Sequence, residues 1–178
     1  MDEKFPFKYA FFTNNHVLDE ERIQNGQTIN YKYNKEDKLI ELTEKRLKFT
    51  DEKLDYTCVQ IFEKDGIQDY FKIDPNIKND YNNQILKDME IFILQYPEGE
   101  NFSFSNGTVI SYYDIKIRHN ASTKRGSSGS PIIKRCINNY IIGIHCSGFN
   151  KTMKINNKTL TYNLAVNFKA ILEDIKKS

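Results

Sequence analysis

The chain has 178 residues, of which 39% are hydrophobic and 28% are charged, so it can bury a core and does not have the composition of a disordered chain. Its 26 basic and 24 acidic residues are interspersed, and no basic stripe predicts a nucleic-acid partner. No apolar run approaches the length of a membrane span, so we expect no membrane partner either.

Short segments rich in β-branched and aromatic residues recur along the chain, separated by NG, DG, NN and GEN turn sequences. They predict strands at KYAFFT, TINYKY, KLIEL, YTCVQIF, YFKI, MEIFILQY, GTVISYY, DIKIRH, PIIKR, YIIGIH and TLTYNL. This spacing indicates an all-β sandwich or barrel. The tail VNFKAILEDIKK predicts the one helix, with an apolar face formed by Val166, Phe168, Ile171, Leu172 and Ile175.

A polar stretch, DPNIKNDYNNQILKD, separates two groups of predicted strands. We interpret residues 74–88 as a connector between an N-terminal half, residues 1–73, and a C-terminal half, residues 89–165. Residues 166–178 are then the C-terminal helix.

The cysteines and the N-terminus bear on localisation. The chain has an odd number of cysteines, namely Cys58, Cys136 and Cys146, and it is too long to depend on disulfides for its stability. The start, MDEKFPFKYAFF, carries acidic residues and a proline where a signal peptide needs a clean apolar segment. We therefore expect a cytoplasmic protein with reduced cysteines.

The segment RGSSGSPII, residues 125–133, places two serines between two glycines. It is either an ordinary loop, because Gly, Ser and Pro are common turn residues, or a strained turn that presents a nucleophilic hydroxyl. A nucleophilic serine needs a base, and His16 follows the apolar segment AFFT where it breaks into a polar corner. His119, in IRHN, has no such context and is interpreted as a surface histidine in a loop.

A base in turn needs an acid that holds its tautomer. Asp55 directly precedes the apolar segment YTCVQIF, where its carboxylate would be half buried at the end of a sheet. Four other aspartates lie in stretches of mixed charge and are interpreted as solvated: Asp37, Asp51, Asp65 and Asp69.

The segments TNNHV, LDYT and GSSGSP, in the order His, Asp, Ser, resemble the chymotrypsin-like (trypsin-like) serine peptidase superfamily. The resemblance implies two six-stranded antiparallel Greek-key barrels and a C-terminal helix, with the first barrel short because only 15 residues precede His16. It also implies His16 as base, Asp55 as its orienting acid and Ser128 as nucleophile. The backbone N–H groups of Gly126 and Ser128 would form the oxyanion hole, and neither a metal nor a cofactor is required.

The segments STKRGSSGSP and YIIGIHCSG are similar to the glutamyl endopeptidase branch, which includes the staphylococcal V8-type enzymes. In that branch the positions of Thr123 and His145 recognise an acidic side chain. Ser122 stands where trypsin-type pockets carry an aspartate, so cleavage after Arg or Lys is not expected. Glutamine is a competitor for glutamate, because viral 3C-type proteases use a similar G-x-H strand. The alternative interpretation is that GIH only packs under the loop.

The resemblance further implies that Cys146, Ser147 and Gly148 form a strand edge that pairs with the substrate backbone. A serine endopeptidase acting on polypeptides is therefore the first hypothesis. A catalytically inactive, peptide-binding pseudoprotease is the second, and a hydrolase of non-peptide acyl groups is the third. The oligomeric state is left open.

Overall fold

The structure, a computed structural model, describes residues 6–33, 35–77, 86–155 and 158–178. It consists mostly of strands with one C-terminal α-helix, which confirms the predicted fold class. The chain divides into two compact units, one comprising the chain up to Tyr70 together with Ile175–Ser178, and the other comprising Phe71–Asp174. In these described ranges no helix combines the length and the apolar composition that crossing a membrane would require.

The first unit contains five strands among the residues that the structure describes. These strands are β1 (Tyr9–Thr13), β2 (Thr28–Tyr33), β3 (Glu36–Glu41), β4 (Lys48–Asp51) and β5 (Tyr56–Ile61). β5 pairs with β1 on one side and with β4 on the other, while β2 and β3 form a separate hairpin. Aliphatic side chains from the strands and from the loops beside them form one core: Ile23, Ile29, Ile40, Leu42, Val59 and Ile61.

A buried ion pair joins two loops of this unit. Arg46 donates to both carboxylate oxygens of Asp65, at 2.7 and 2.9 Å, and also to the carbonyl of Glu41 at 2.9 Å. Burial of Asp65 acts to raise its pKa, but the hydrogen bonds from Arg46 and from the Phe62 N–H outweigh it, and the pKa is lowered. The interpretation of Asp65 as solvated is therefore wrong, because its partner lies 19 residues away in sequence and local charge patterning does not reveal it.

The second unit is a closed six-stranded barrel. Its strands are β6 (Glu90–Gln95), β7 (Ser103–Tyr113), β8 (Lys116–His119), β9 (Pro131–Lys134), β10 (Ile141–Ile155) and β11 (Lys158–Asn167). Around the barrel they follow the order β6, β7, β8, β11, β10, β9. Residues alternate between the two faces along β6, where Ile91 and Ile93 are buried while Phe92 and Leu94 are partly exposed, which is the period of two of a half-buried strand.

Helix α1 spans Phe168–Ile175 and begins directly where β11 ends. Its predicted apolar face is buried at Phe168, Ile171, Leu172 and Ile175. The predicted start of the helix at Val166 is two residues early, because Val166 pairs with Ile144 of β10 and remains in the barrel. The side chain of Asn167 accepts a hydrogen bond from the Lys169 N–H at 2.7 Å, which marks the turn from strand to helix.

Several other expectations differ from the structure. In the described residues, the strands of the first unit form two sheets and not a closed six-stranded barrel. The predicted strand YFKI is absent apart from a single bridge between Ile73 and Ile141, and β4 was not predicted. β10 continues to Ile155, well beyond the predicted YIIGIH, because it pairs along its length with β11. Residues 78–85, most of the predicted connector, lie outside the described residues.

We expect Arg46→Ala to lower the free energy of unfolding by about 3–5 kcal/mol, because it leaves the buried carboxylate of Asp65 without its cation. Arg135→Ala is the matched control, since Arg135 pairs with Glu90 at 3.5 Å and both side chains are 66% exposed. The control should cost less than about 1 kcal/mol. Urea denaturation measures both, and equal losses would contradict the structural role of the buried pair.

Candidate active site

His16 and Asp55 contact each other at one end of the β1–β5 pair. Because β1 and β5 are antiparallel with Thr13 opposite Thr57, the chain leaving β1 runs beside the chain entering β5. His16 Nδ1 lies 2.9 and 3.0 Å from the two carboxylate oxygens of Asp55. The His16 backbone N–H also donates to Asp55 Oδ1 at 3.1 Å. The side chains are 48% and 21% exposed, so this pair reaches solvent.

The polar corner before His16 holds this arrangement in place. Asn14 is fully buried and its side-chain amide donates to the Asp55 carbonyl at 3.0 Å. Asn15 donates to the hydroxyl of Thr50 at 2.8 Å. Asp55 itself has a φ of 60°, in the left-handed region that aspartate enters more readily than most residues. The sequence pattern predicts only that the strand ends at these two asparagines, whereas their hydrogen bonds also fix the backbone around the pair.

In the second unit, the segment Gly126–Ser130 forms the turn that carries Ser128. Gly126 and Gly129 have φ values of 87° and 84°, which explains why glycine is needed on both sides of the serines. The Gly129 N–H donates to the His145 carbonyl at 2.9 Å, and the His145 N–H donates to the Ser130 carbonyl at 2.8 Å. The half-buried Ser128 is thus carried on a turn that two backbone hydrogen bonds attach to β10.

The β6–β7 connection also contacts this turn. The Glu98 N–H donates to the Arg125 carbonyl at 2.7 Å. A Cβ atom on Gly126 would lie 2.9 Å from the Glu98 backbone nitrogen, closer than packed atoms tolerate. Gly126 is therefore required by close packing as well as by its φ, a reason that the sequence did not show.

Ser127 and Ser128 are adjacent but occupy different environments. Ser127 is buried, and its hydroxyl donates to the Gln95 side-chain oxygen at 2.7 Å. The Gln95 amide in turn donates to the Ser122 carbonyl at 3.1 Å. The buried side chain of Gln95 therefore connects Ser127 to the Ser122 carbonyl and stabilises the turn. The hydroxyl of Ser127 has this structural role.

A cavity of about 370 Å³ lies beside Ser128 within the second unit. Four of the predicted substrate-binding residues and both oxyanion-hole residues contribute to its wall. It combines the Thr123 hydroxyl and the His145 imidazole with the small backbone surface of Gly148. The lining residues are Thr123, Lys124, Arg125, Gly126, Ser128, His145, Ser147 and Gly148.

The side chain of Cys146, predicted as part of the substrate edge, does not line this cavity. Its thiol lies 3.7 Å from Lys116 Nζ and donates to the Leu164 carbonyl at 3.5 Å. Residues alternate along a strand, so the side chain between His145 and Ser147 points to the other face. Only the backbone of Cys146 can contribute to a strand edge there. None of the three cysteines of the chain is in a disulfide.

A second buried histidine lies directly behind His145. The Nε2 atom of His119 is 3.4 Å from Nδ1 of His145, and the two rings meet edge to face with centroids 5.5 Å apart. Burial, and to a lesser degree the charge on His145, lowers the pKa of His119 to about 3. His119 is therefore neutral at physiological pH and can only exchange a hydrogen bond with His145. The interpretation of His119 as a surface histidine is therefore wrong. No local pattern reveals this contact, because it depends on β11 pairing with both β8 and β10.

His119→Gln should make the stability of the protein less sensitive to acid. The folded protein keeps His119 neutral down to about pH 3, whereas the unfolded chain protonates it near 6.5. The contribution of the neutral His119 to the unfolding free energy is therefore fully present above pH 6.5. Below that pH the unfolding free energy falls by up to about 1.4 kcal/mol for each pH unit. Glutamine does not titrate, so urea denaturation at pH 7.5 and pH 4.5 should show a smaller difference in the variant. Parallel pH profiles would contradict this account.

The residues of the described ranges include no group of three or more His, Cys, Asp or Glu side chains placed to hold a metal ion. His16 and Asp55 belong to the first unit, and Ser128 with the cavity belongs to the second. The structure thus brings His16 to Asp55, and it brings Ser128 to the predicted pocket residues.

Comparisons with known proteins agree with the architecture. The serine endoprotease from Yersinia pestis superposes on 95% of this chain with a TM-score of 0.66 and 14% identity. The catalytically active tobacco etch virus protease, solved with its product, covers 90% with a TM-score of 0.56 and 18% identity. This chain spans 54% and 63% of those two chains, less than two thirds of each, and the likeness is one of fold.

No curated protein matches the chain. The family model of the trypsin-like peptidase domain matches residues 7–144, which is well over half of the sequence. The six-stranded barrel, the strand-end His–Asp pair and the glycine-flanked serine turn agree with this match. The chain belongs to the trypsin-like peptidase domain family.

Proposed function

We propose that this protein is a serine endopeptidase that hydrolyses polypeptides through His16, Asp55 and Ser128. The observation that carries the proposal is the contact of His16 Nδ1 with both carboxylate oxygens of Asp55. A carboxylate in this position accepts the Nδ1–H and thereby selects the tautomer whose lone pair is on Nε2. That tautomer is the one that can accept a proton from a serine hydroxyl.

In the proposed reaction His16 Nε2 takes the Ser128 hydroxyl proton while Ser128 Oγ attacks the scissile carbonyl. The imidazolium that forms is stabilised by Asp55 and then gives its proton to the leaving amine. An acyl-enzyme remains on Ser128. A water molecule, deprotonated by the same histidine, hydrolyses this ester and restores the serine.

The backbone of the serine turn suits the oxyanion that this attack creates. The C=O and N–H of a trans peptide unit point in opposite directions, and the Arg125 carbonyl is directed to the Glu98 N–H. The N–H of Gly126 therefore points away from Glu98. Together with the Ser128 N–H it can donate to the oxyanion, and each such donor is typically worth about 3 kcal/mol of the barrier.

The cavity next to Ser128 favours an acidic or amide side chain before the scissile bond. The Thr123 hydroxyl and the His145 imidazole both line it, and both can donate to a carboxylate or an amide oxygen. The neutral His119 behind His145 can exchange a hydrogen bond with Nδ1 of that imidazole, which leaves Nε2 of His145 available to a ligand. The exposed Lys124 and Arg125 at the rim add positive charge.

A peptide-binding module without catalysis is the second candidate. The sheet that carries His16 and Asp55 is three-stranded and open in the described part of the chain. The cavity and the β10 edge would serve such a module equally well. Reactivity of the serine separates the two candidates.

We expect a fluorophosphonate probe to label the purified protein, and we expect Ser128→Ala and His16→Ala to abolish labelling. Ser122→Ala is the matched control, because Ser122 is an exposed serine of the same loop and should be labelled like the wild type. Absence of labelling in a folded wild-type protein, or labelling that persists in Ser128→Ala, would contradict the proposed nucleophile. The peptide-binding candidate would then stand.

Thr123→Val should reduce kcat/KM for substrates with Glu before the scissile bond by about 10-fold to 100-fold. The reason is that it removes a hydrogen bond to a charged group, which typically contributes about 1.5–3 kcal/mol. Cleavage after Ala should change little. Lys124→Gln, at the exposed rim, is the control and should have a much smaller effect. If Thr123→Val affects Glu and Ala substrates equally, the specificity assigned to this cavity is wrong.

A further inference from the structure

Three large aromatic side chains are exposed together on the β6–β7 hairpin. Tyr96, Phe102 and Phe104 are 58%, 55% and 65% exposed, and the rings of Tyr96 and Phe102 are 5.6 Å apart. We call these three residues the aromatic face. Since Leu94 lies opposite Phe104 and Gln95 opposite Ser103, Tyr96 and Phe102 form the next opposed pair on the same side of the hairpin as Phe104.

The barrel core does not require this face. The residues of β6 that point inward are Ile91, Ile93 and Gln95, and all three are buried. A contiguous apolar patch on the surface of a folded domain commonly marks an interaction site, whereas scattered exposed apolar residues are ordinary. Two aromatic rings that contact each other in a tilted arrangement and yet remain exposed therefore indicate a binding surface.

The position of the aromatic face relative to the serine turn identifies its occupant. The connection between Tyr96 and Phe102 includes Glu98, whose N–H donates to the Arg125 carbonyl at 2.7 Å and whose nitrogen packs against Gly126. The aromatic face is therefore continuous with the backbone that would form the oxyanion hole. A substrate bound at this turn would pass directly by the hairpin.

The contacts of the serine turn indicate the direction of the substrate. β10 is attached to the turn through the two backbone hydrogen bonds between His145 and the segment Gly129–Ser130, and His145 and Gly148 of that strand line the cavity for the side chain before the scissile bond. Arg125 and Gly126 belong to the wall of the cavity and also contact the β6–β7 connection, but no described residue of that connection lines the cavity. The hairpin therefore remains available to the part of the substrate that follows the scissile bond.

We propose that the aromatic face binds an aromatic or large aliphatic side chain within the first three residues after the scissile bond. The inference rests on the proposed peptidase function. Aromatic rings present large apolar areas and prefer edge-to-face or offset contacts, which the tilted Tyr96–Phe102 pair can extend to a third ring. Selectivity would thus arise on both sides of the bond, by polar groups before it and by apolar contact after it.

The test uses two kinds of substrate that share the same residues before the scissile bond. One is a p-nitroanilide, which has no amino acid after the bond. The other is a set of internally quenched peptides with Phe or Ser at each of the first three positions after it. The variant is Phe102→Ser/Phe104→Ser, and the matched control is Tyr113→Ser, an aromatic residue of the same strand that is 64% exposed.

We expect the wild type to prefer Phe over Ser by about tenfold in kcat/KM at one of these positions, and the double variant to lose that preference. The p-nitroanilide should be hydrolysed at the wild-type rate by both variants, and Tyr113→Ser should keep the preference. A wild type without any preference, or a double variant that retains it, overturns this inference while the peptidase function stands. A wild type that hydrolyses neither kind of substrate overturns both.

Discussion

Two backbone hydrogen bonds between β10 and the serine turn determine where the candidate nucleophile lies in the second unit. They join the N–H and C=O of His145 to the segment Gly129–Ser130. Because the same residue supplies the imidazole of the cavity, the position of Ser128 and the position of the pocket wall are fixed by one strand. The left-handed conformation of Gly129 follows from this attachment, since the chain must reverse immediately after the serine. Pocket and nucleophile cannot shift independently.

In the first unit, the register of two paired strands determines which polar residues meet. An antiparallel pair brings the residues after one strand to the residues before the other, so His16 and Asp55 meet although 39 residues separate them. The sequence predicted both residues correctly as neighbours of strand ends. It could not predict that Asn14 would be buried beneath them and bonded to the Asp55 carbonyl, because that requires the tertiary position of the corner.

The differences between expectation and structure share one physical cause. Strands with apolar runs, such as β5 and β6, are evident from local composition. The far half of β10 and the strand β4 are polar, and they form because partners pair with them. The interpretations of Asp65 as solvated and of His119 as a surface residue are wrong for the same reason, since their neighbours Arg46 and His145 come from distant segments. Local pattern predicts elements, whereas pairing decides which polar side chains are buried.

The left-handed backbone of Asp55 limits which residues can replace it during evolution. At a φ of 60° the low-strain alternatives are glycine, which removes the carboxylate, and asparagine, which keeps the shape but loses the charge. Glutamate would preserve the charge, but its longer side chain does not share the tolerance of Asp and Asn for this conformation. The replacement that is chemically most similar is therefore disfavoured by the backbone. Substitutions of Asp55 by glycine or asparagine, which remove the negative charge, are therefore more accessible in evolution than the substitution by glutamate, which would keep it.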